Sequence, residues 1–279
     1  MEKFRSPDYD PTSEYSVPYT WGTVGIIYDK TIVEESIAPE DIDWDILWNE
    51  DFLGNILMFD NPRDAFAIAE IMQGFSLNTE NSDELNKAAK LLTDQKKFVQ
   101  AYVMDEIFDK MGAGEALLAP YYAGDALTLM SDYEDLGFVI PKSGTNLFVN
   151  AVCIPSTCRN KEAAEMYINF LCEGSVAYAV TDFIGYSTPN QAAYDMLDED
   201  IKNDGISYPD DDFIAEKTQT FRNLSDEANL EMQKLWTEMK SSEEVTPNRF
   251  IVPLFMGLCV AASLIILIKR YINKKKDIF

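Results

Sequence analysis

Residues 250–268 read FIVPLFMGLCVAASLIILI, nineteen residues without a charge, and KRYINKKK follows at once. A helix of that length crosses a hydrocarbon core of about 30 Å. A buried globular helix is not usually apolar all round and then ended by a basic cluster, so the run reads as a transmembrane helix, with Pro253 tolerated near its start. The positive cluster sets the tail, 269–279, in the cytoplasm. The stretch 241–249 is polar and contains a proline, and reads as a linker. Everything before it is then an extracytoplasmic domain.

That domain is acidic. The chain of 279 residues carries −25, and removing the tail's net +4 leaves −29 on residues 1–268. Such a field repels nucleic acid and attracts cations, although acidity also serves solubility alone. Apolar residues make up 47% and aromatics 12%, enough for a real core. No histidine is present, which excludes Ser-His-Asp and Cys-His catalysis and histidine-ligated metal. Cys153, Cys158, Cys172 and Cys259 form no CxxC pair, and buried free thiols are expected. No metal or cofactor site is legible. DEDIKNDGISYPD (198–210) places Lys202 where a calcium loop needs a ligand, so an acidic turn is expected there. MEKFRSPDYD lacks the apolar core of a signal peptide. An external domain without an export signal implies that an N-terminal portion, or a partner gene, supplies one.

Short apolar runs at 23–29, 56–59, 116–122, 136–140 and 147–155 read as buried strands. Between them, 82–99, 160–174 and 225–240 have helical spacing, with Ser82, Asn160 and Ser225 as caps and Gly174 as a stop. The alternation predicts an α/β class with a mainly parallel sheet, whose ligand lies beyond strand ends or between lobes. In FDNPRDAFAIAE (59–70), Asn61 or Asp60 caps a helix opening at Pro62. Asp64 then either reaches back to the cap amide or displays a carboxylate to a ligand. APYYAGDA (119–126) likewise ends a strand with tyrosines, able to meet a cation with their faces. Phe148 and Asn150 share one face of a strand, and Trp21 and Tyr19 flank the opening one. Aromatic, acidic and amide groups at strand ends suit an organic cation.

VPYTWGTVGI (17–26), FDNPRDAF (59–66), GTNLFVNAVCIP (144–155), NKEAAEMYINFL (160–171) and IGYSTPNQAA (184–193) resemble the spermidine/putrescine-binding proteins of bacterial polyamine ABC importers, over residues 8–240. The resemblance implies a periplasmic-binding-protein type II-like two-lobed fold that closes by a hinge. It implies a ligand held by rings along its methylenes and carboxylates at its amines. Asn61 and Asp64 fall where the family's known polyamine binder has two acids. Tyr122 and Phe148 fall where it has tryptophans, Asn150 where it has an aspartate, and Arg222 near its glutamine. Trp21 is expected beside them. Two of three acids are therefore amides here. By the same resemblance the first lobe is incomplete. It is expected to comprise 1–26 and 148–194, and the second lobe 27–147 and 195–240. The implied function is the solute-binding component of a polyamine importer, tethered by the C-terminal span and working with an ABC permease and its ATPase. A sensory or scaffold ectodomain is the competing expectation. No nucleophile–base pair is identifiable, so no enzyme is expected.

The membrane topology is directly checkable. On a background without the four native cysteines, Ser241→Cys is expected to react with a membrane-impermeant maleimide added outside the cell. Lys275→Cys is expected to react only after permeabilisation. The reverse pattern would place the acidic domain in the cytoplasm.

Overall fold

The computed structural model describes residues 1–7 and 9–242. The apolar run 250–268, the tail 269–279, Cys259 and the linker beyond Ser242 lie outside the described residues. Among those described, no helix is long and apolar enough to cross a membrane.

A long strand, β1 (Ser16–Asp29), is followed by one turn of helix, α1 (Lys30–Val33), and by β2 (Ile56–Phe59) and α2 (Pro62–Met72). Next come α3 (Ser82–Gln95), β3 (Val99–Val103), α4 (Ile107–Gly112), β4 (Leu118–Tyr122), α5 (Ala123–Asp132) and β5 (Leu136–Val139). β6 (Thr145–Cys153) leads to α6 (Lys161–Leu171), α7 (Gly174–Ile184), α8 (Gln191–Met196), α9 (Glu199–Lys202) and α10 (Asp211–Lys217). The short β7 (Thr218–Gln219) and α11 (Asp226–Ser241) close the domain.

The alternation of strands and helices is as the hydrophobic runs predict, but the sheet is mixed. β1 runs antiparallel to β4, β5 and β6, while the parallel pairs are β2 with β3, β2 with β4, and β6 with β7. A strand buried on both faces reads as one apolar run whichever way its neighbours point, so direction is not encoded in that pattern. β1 also starts seven residues earlier than expected. Pro18 lies where the β1–β6 register shifts, and a proline without an N–H is tolerated at such an irregularity. Val99 belongs to β3 rather than to the helix before it, which ends at Gln95.

Local signals place the helices. Asn81, one residue before Ser82, caps α3 by accepting from the amides of Asp83 and Glu84, while the Ser82 hydroxyl donates to Glu231. Asn160 and Ser225 cap α6 and α11 as expected. Gly174 opens α7 instead of stopping α6, whose C-cap is Cys172. The apolar positions of α6 fall on one face, but that face is open: Met166, Tyr167 and Phe170 are 67%, 61% and 49% exposed. Cys153, Cys158 and Cys172 are free, as expected, but none is buried.

The main core packs β1 to β5 against α2, α3, α5 and α11 around fully buried Ile26, Ile27, Leu57, Phe59 and Phe66. Each such aliphatic or aromatic side chain contributes about 1.5–3 kcal/mol on burial. A separate small cluster joins Phe4, Trp21 and Leu147.

One buried group opposes folding. Glu70 of α2 is fully buried, and neither carboxylate oxygen has a hydrogen-bond partner among the described residues. Burial pushes its pKa up to about 8, with Glu84 adding to the shift and Arg63 opposing it. An acid whose folded pKa is raised stabilises the fold below its unfolded value near 4.5, and that contribution is lost as pH rises through about 8. Glu70→Gln is therefore expected to melt close to the parent at pH 5. At pH 9 it should be more stable than the parent by roughly 3–5 kcal/mol, the cost of an uncompensated buried charge. Thermal unfolding followed by circular dichroism at the two pH values checks this.

Candidate functional site

The site is built on one face of the sheet. Gly22 pairs with Phe148, Thr20 with Asn150, and Val24 with Tyr122. Side chains alternate along strands, so Thr20, Gly22 and Val24 of β1, Asn146, Phe148 and Asn150 of β6, and Tyr122 of β4 share this face. Gly22 is required by its neighbour: a Cβ there would lie 2.8 Å from the Phe148 ring. The missing side chain lets that ring lie flat over the strand.

Asp64 reaches the same place from α2. Asn61 caps that helix, its side-chain oxygen accepting from the amide of Arg63 at 2.9 Å, and Pro62 takes the first helical position. Asp64 sits in the first turn, where the helix dipole favours a negative charge. Its carboxylate does not return to the cap; it accepts from the Tyr122 hydroxyl at 3.0 Å. At 5% exposure the group is desolvated, and burial pushes its pKa up to about 6 against the opposing hydrogen bond and the charge of Arg63. It is ionised at neutral pH but poorly solvated, which favours an incoming cation.

An aromatic row extends from this carboxylate. Tyr122 meets Phe148 edge-on with centroids 5.2 Å apart, and Phe148 meets Tyr186 at 5.9 Å. The Tyr186 hydroxyl donates to Asp125 at 2.9 Å. Its ring lies against Gly124 at the start of α5, where a Cβ would come within 2.3 Å of it. Burial and the neighbouring carboxylates hold the Tyr122 and Tyr186 hydroxyls well above the usual phenol range, so both remain donors. Tyr121 beside Tyr122 donates to Asp105 at 3.4 Å. The result is a strip of rings with a carboxylate at each end.

Of the residues singled out in the sequence, Asp64, Tyr122 and Phe148 come together, and Asn61 stands in the loop that delivers Asp64. Asn150 is exposed on the same face, its amide donating to Thr20 at 2.9 Å. Trp21 points to the other face of β1. It is fully buried against Phe4 and Tyr208, with its indole N–H on the Thr188 carbonyl at 3.2 Å. Arg222 is exposed in the segment before α11, where its backbone is tied to Asn78 and Arg63. Sequence reasoning did not assign Tyr186 to the site; its signal was the tyrosine after Gly185 in IGYSTPN. Asp125 was visible in the helix-opening Gly-Asp, but nothing local linked it to Tyr186, sixty-one positions away.

An α/β domain with a ring-lined, acid-ended strip at the edge of its strands offers a place for a small ligand. Residues 3–217 match the family of bacterial extracellular solute-binding proteins. The chain belongs to that family, whose members bind solutes and are not enzymes. It is 32% identical over 207 residues to the spermidine/putrescine-binding periplasmic protein of Escherichia coli, covering 74% of this chain and 58% of that protein. It is 28% identical to the putrescine-binding periplasmic protein SpuD of Pseudomonas aeruginosa, covering 84% of this chain and 67% of that one. The crystal structure of the spermidine/putrescine ABC transporter substrate-binding protein PotD from Streptococcus pneumoniae superposes with a TM-score of 0.77 at 29% identity. That match covers 86% of this chain and 73% of PotD. The fold is thus periplasmic-binding-protein-like, and the chain spans a little over half the length of the Escherichia coli relative.

The Asp64–Tyr122 bond is testable in the unliganded protein. Tyr122→Phe removes a donor that lowers the Asp64 pKa, so that pKa is expected to move above 6, at a stability cost of roughly 1–2 kcal/mol. Carbon-detected NMR titration of the carboxyl reads the first, and denaturant unfolding the second. An unmoved Asp64 titration would show that the tyrosine does not tune the carboxylate.

Proposed function

We propose that the chain binds a polyamine or a closely related organic cation as the solute-binding component of a polyamine-type ABC importer. The observation that carries this reading is the buried Asp64 carboxylate, held by the Tyr122 hydroxyl at the head of the Tyr122–Phe148–Tyr186 row. A carboxylate there takes an ammonium by a charge-assisted hydrogen bond, and the rings pack along methylenes and attract a cation by their faces. Asp125 stands at the far end of the row, which suits a ligand charged at both ends. The printed names of the relatives, spermidine- and putrescine-binding, agree with that chemistry.

In this reading Asn61 and Asn150 line the entrance with amides, and Arg222 borders it. Trp21 acts from the other face of β1, holding the strand that carries Gly22. The reading includes two lobes, 1–26 with 148–194 and 27–147 with 195–240. Supporting that division, β1 pairs with β6 up to Thr23, with β4 from Val24 and with β5 from Ile26. The small cluster around Trp21 is also distinct from the main core. The span 250–268 tethers the domain on the outer side of the membrane, where it delivers the ligand to a permease driven by its ATPase.

Calorimetry with spermidine tests the site. Asp64→Asn is expected to weaken binding by about 1.5–3 kcal/mol, or 10- to 150-fold, the range for a charged hydrogen bond. Asn150→Asp is expected to strengthen it. In the parent, affinity should hold above pH 7 and fall as pH drops through about 6, where Asp64 takes up its proton. Equal affinity in parent and both variants, with no acid limb, would reduce Asp64 to a buried structural carboxylate.

A further inference from the structure

Thr220, Phe221 and Arg222 form a strap between two fixed points. Gln219 before it pairs with β6, and the buried Leu224 and the Ser225 cap of α11 follow it. The strap is tied down by Asn78 of the α2–α3 loop and by Arg63 of α2. Asn78 donates to the Thr220 carbonyl at 3.0 Å and accepts from the Arg222 amide at 2.7 Å. The Arg63 guanidinium lies 4.6 Å from the centroid of the Phe221 ring, and its Nη2 donates to Asn78 at 2.8 Å and to the Arg222 carbonyl at 3.2 Å. The inner half of that fork is idle: Nη1 is buried and has no hydrogen-bond partner among the described residues. Glu70 follows on the same face of α2, two turns or about 10.5 Å along the helix. It is fully buried, and both its oxygens also lack a partner among the described residues. A buried donor and a buried acceptor are thus left unjoined, although each is the strongest charged neighbour of the other.

We propose that Arg63 is a two-position latch: it holds the strap while Glu70 is neutral, and when Glu70 ionises the guanidinium turns inward to the carboxylate and releases the strap. The latch needs no ligand and does not depend on the function proposed above. Its mechanics follow from the shape of the fork. A guanidinium is a rigid plane, so turning Nη1 onto Glu70 carries Nη2 with it. The bond to the Arg222 carbonyl is already at the long end of the hydrogen-bond range and is the first to break, and the plane leaves the Phe221 ring. Glu70 is packed on every side, whereas Arg63 has a long flexible arm, so the guanidinium is the part that moves. A neutral acid exerts no such pull, but a buried carboxylate without a partner is costly and draws the nearest cation. The charged groups that act on Glu70 are Arg63 from its own helix and Glu84 from α3, the latter bonded to the Thr79 hydroxyl. The other elements packed on α2 add none: the side chains buried from β2, α11 and the turn at 44–48 are apolar, and those from β6 are uncharged. Burial lifts the Glu70 pKa to about 8, so the release runs with rising pH, from latched at pH 6.5 to open at pH 9.5.

The test uses the full chain in lipid nanodiscs, without its four native cysteines and with a nitroxide label on Asn223→Cys, an exposed position just after the strap. Electron paramagnetic resonance then reads label mobility from pH 6.5 to 9.5, with circular dichroism confirming at each end that the domain stays folded. In the parent, the mobile component is expected to grow with a midpoint near pH 8. Glu70→Gln keeps the shape and cannot ionise, so its label should stay immobile across the range. Arg63→Gln removes the latch, so its label should be mobile at both ends with no midpoint. A parent label that does not respond to pH, or that tightens as pH rises, overturns the latch. So does a Glu70→Gln chain that loosens as the parent does, because another group would then be titrating. An Arg63→Gln label as immobile at pH 6.5 as the parent's would show that Asn78 holds the strap without Arg63, and would overturn it too.

Discussion

The structure depends on one strand that belongs to two neighbourhoods. β1 is fourteen residues long, more than twice a usual strand. Its first half is held by β6, and its second by β4 from Val24 and by β5 from Ile26. Residues 20–28 are buried without a break, so each half is fixed by packing on both faces as well as by its ladder. The changeover falls at Gly22, Thr23 and Val24, and the aromatic row crosses it: Phe148 lies over Gly22 while Tyr122 stands beside Val24. A row of side chains laid across a changeover of partners is set by the register of both ladders at once. A slip of one residue in either would send Phe148 or Tyr122 to the opposite face.

The polar groups of the strip are paired with one another. Tyr122 donates to Asp64 and Tyr186 to Asp125. These bonds fix ring orientation and lower the cost of keeping carboxylates out of water. They cannot remove that cost, since the Asp64 pKa still stands near 6 and that of Asp125 is also raised by burial. On the proposed function, that residual penalty is what a cation relieves. Acidity over the whole chain is long-range and screened within about 8–10 Å at ordinary salt, so on the proposed function the surface supplies attraction and these two desolvated groups selectivity.

Much of this was legible in the residues. Asn-Pro at 61–62 announced the start of α2, and that alone set Asp64 at a strand's carboxyl end. The alternation at 146, 148 and 150 announced the shared face of β6. What was not legible has a common cause: it depends on pairing between distant segments. Asp64 read equally well as a capping residue, and only Tyr122, fifty-eight positions away, decides that its carboxylate turns to the sheet. Trp21 read as a ligand contact because it flanks the right strand. Its parity on β1 puts it on the other face, and parity could not be read while β1 was taken to begin at residue 23. The mixed sheet was missed for the reason that apolar runs carry no direction. The exposed face of α6 was missed because helical spacing shows which residues share a face, not whether anything covers it.

The site loop is also braced from the end of the domain. α11 lies across α3 and α2, and its last turn holds Lys240, whose ammonium meets Asp60 at 2.5 Å and lies over the Trp236 and Tyr102 rings. Asp60 is the residue before the α2 cap. Lys96, nearly buried, donates to the carbonyls of Met239, Lys240 and Ser242, completing the open end of α11 with a positive charge where the helix dipole calls for one. Arg63 ties the other approach: stacked on Phe221, it donates to Asn78 and to the Arg222 carbonyl. The turn that carries Asn61 and Asp64 is therefore flanked by cation-mediated ties on both sides, one residue before the cap and one residue after Pro62. Exposed ion pairs stabilise little by themselves. Here they act between elements far apart in the chain, and their effect is on where the Asp64 carboxylate stands. A charged hydrogen bond is sensitive to that position in both distance and angle, so these ties pre-organise the Asp64–Tyr122 pair.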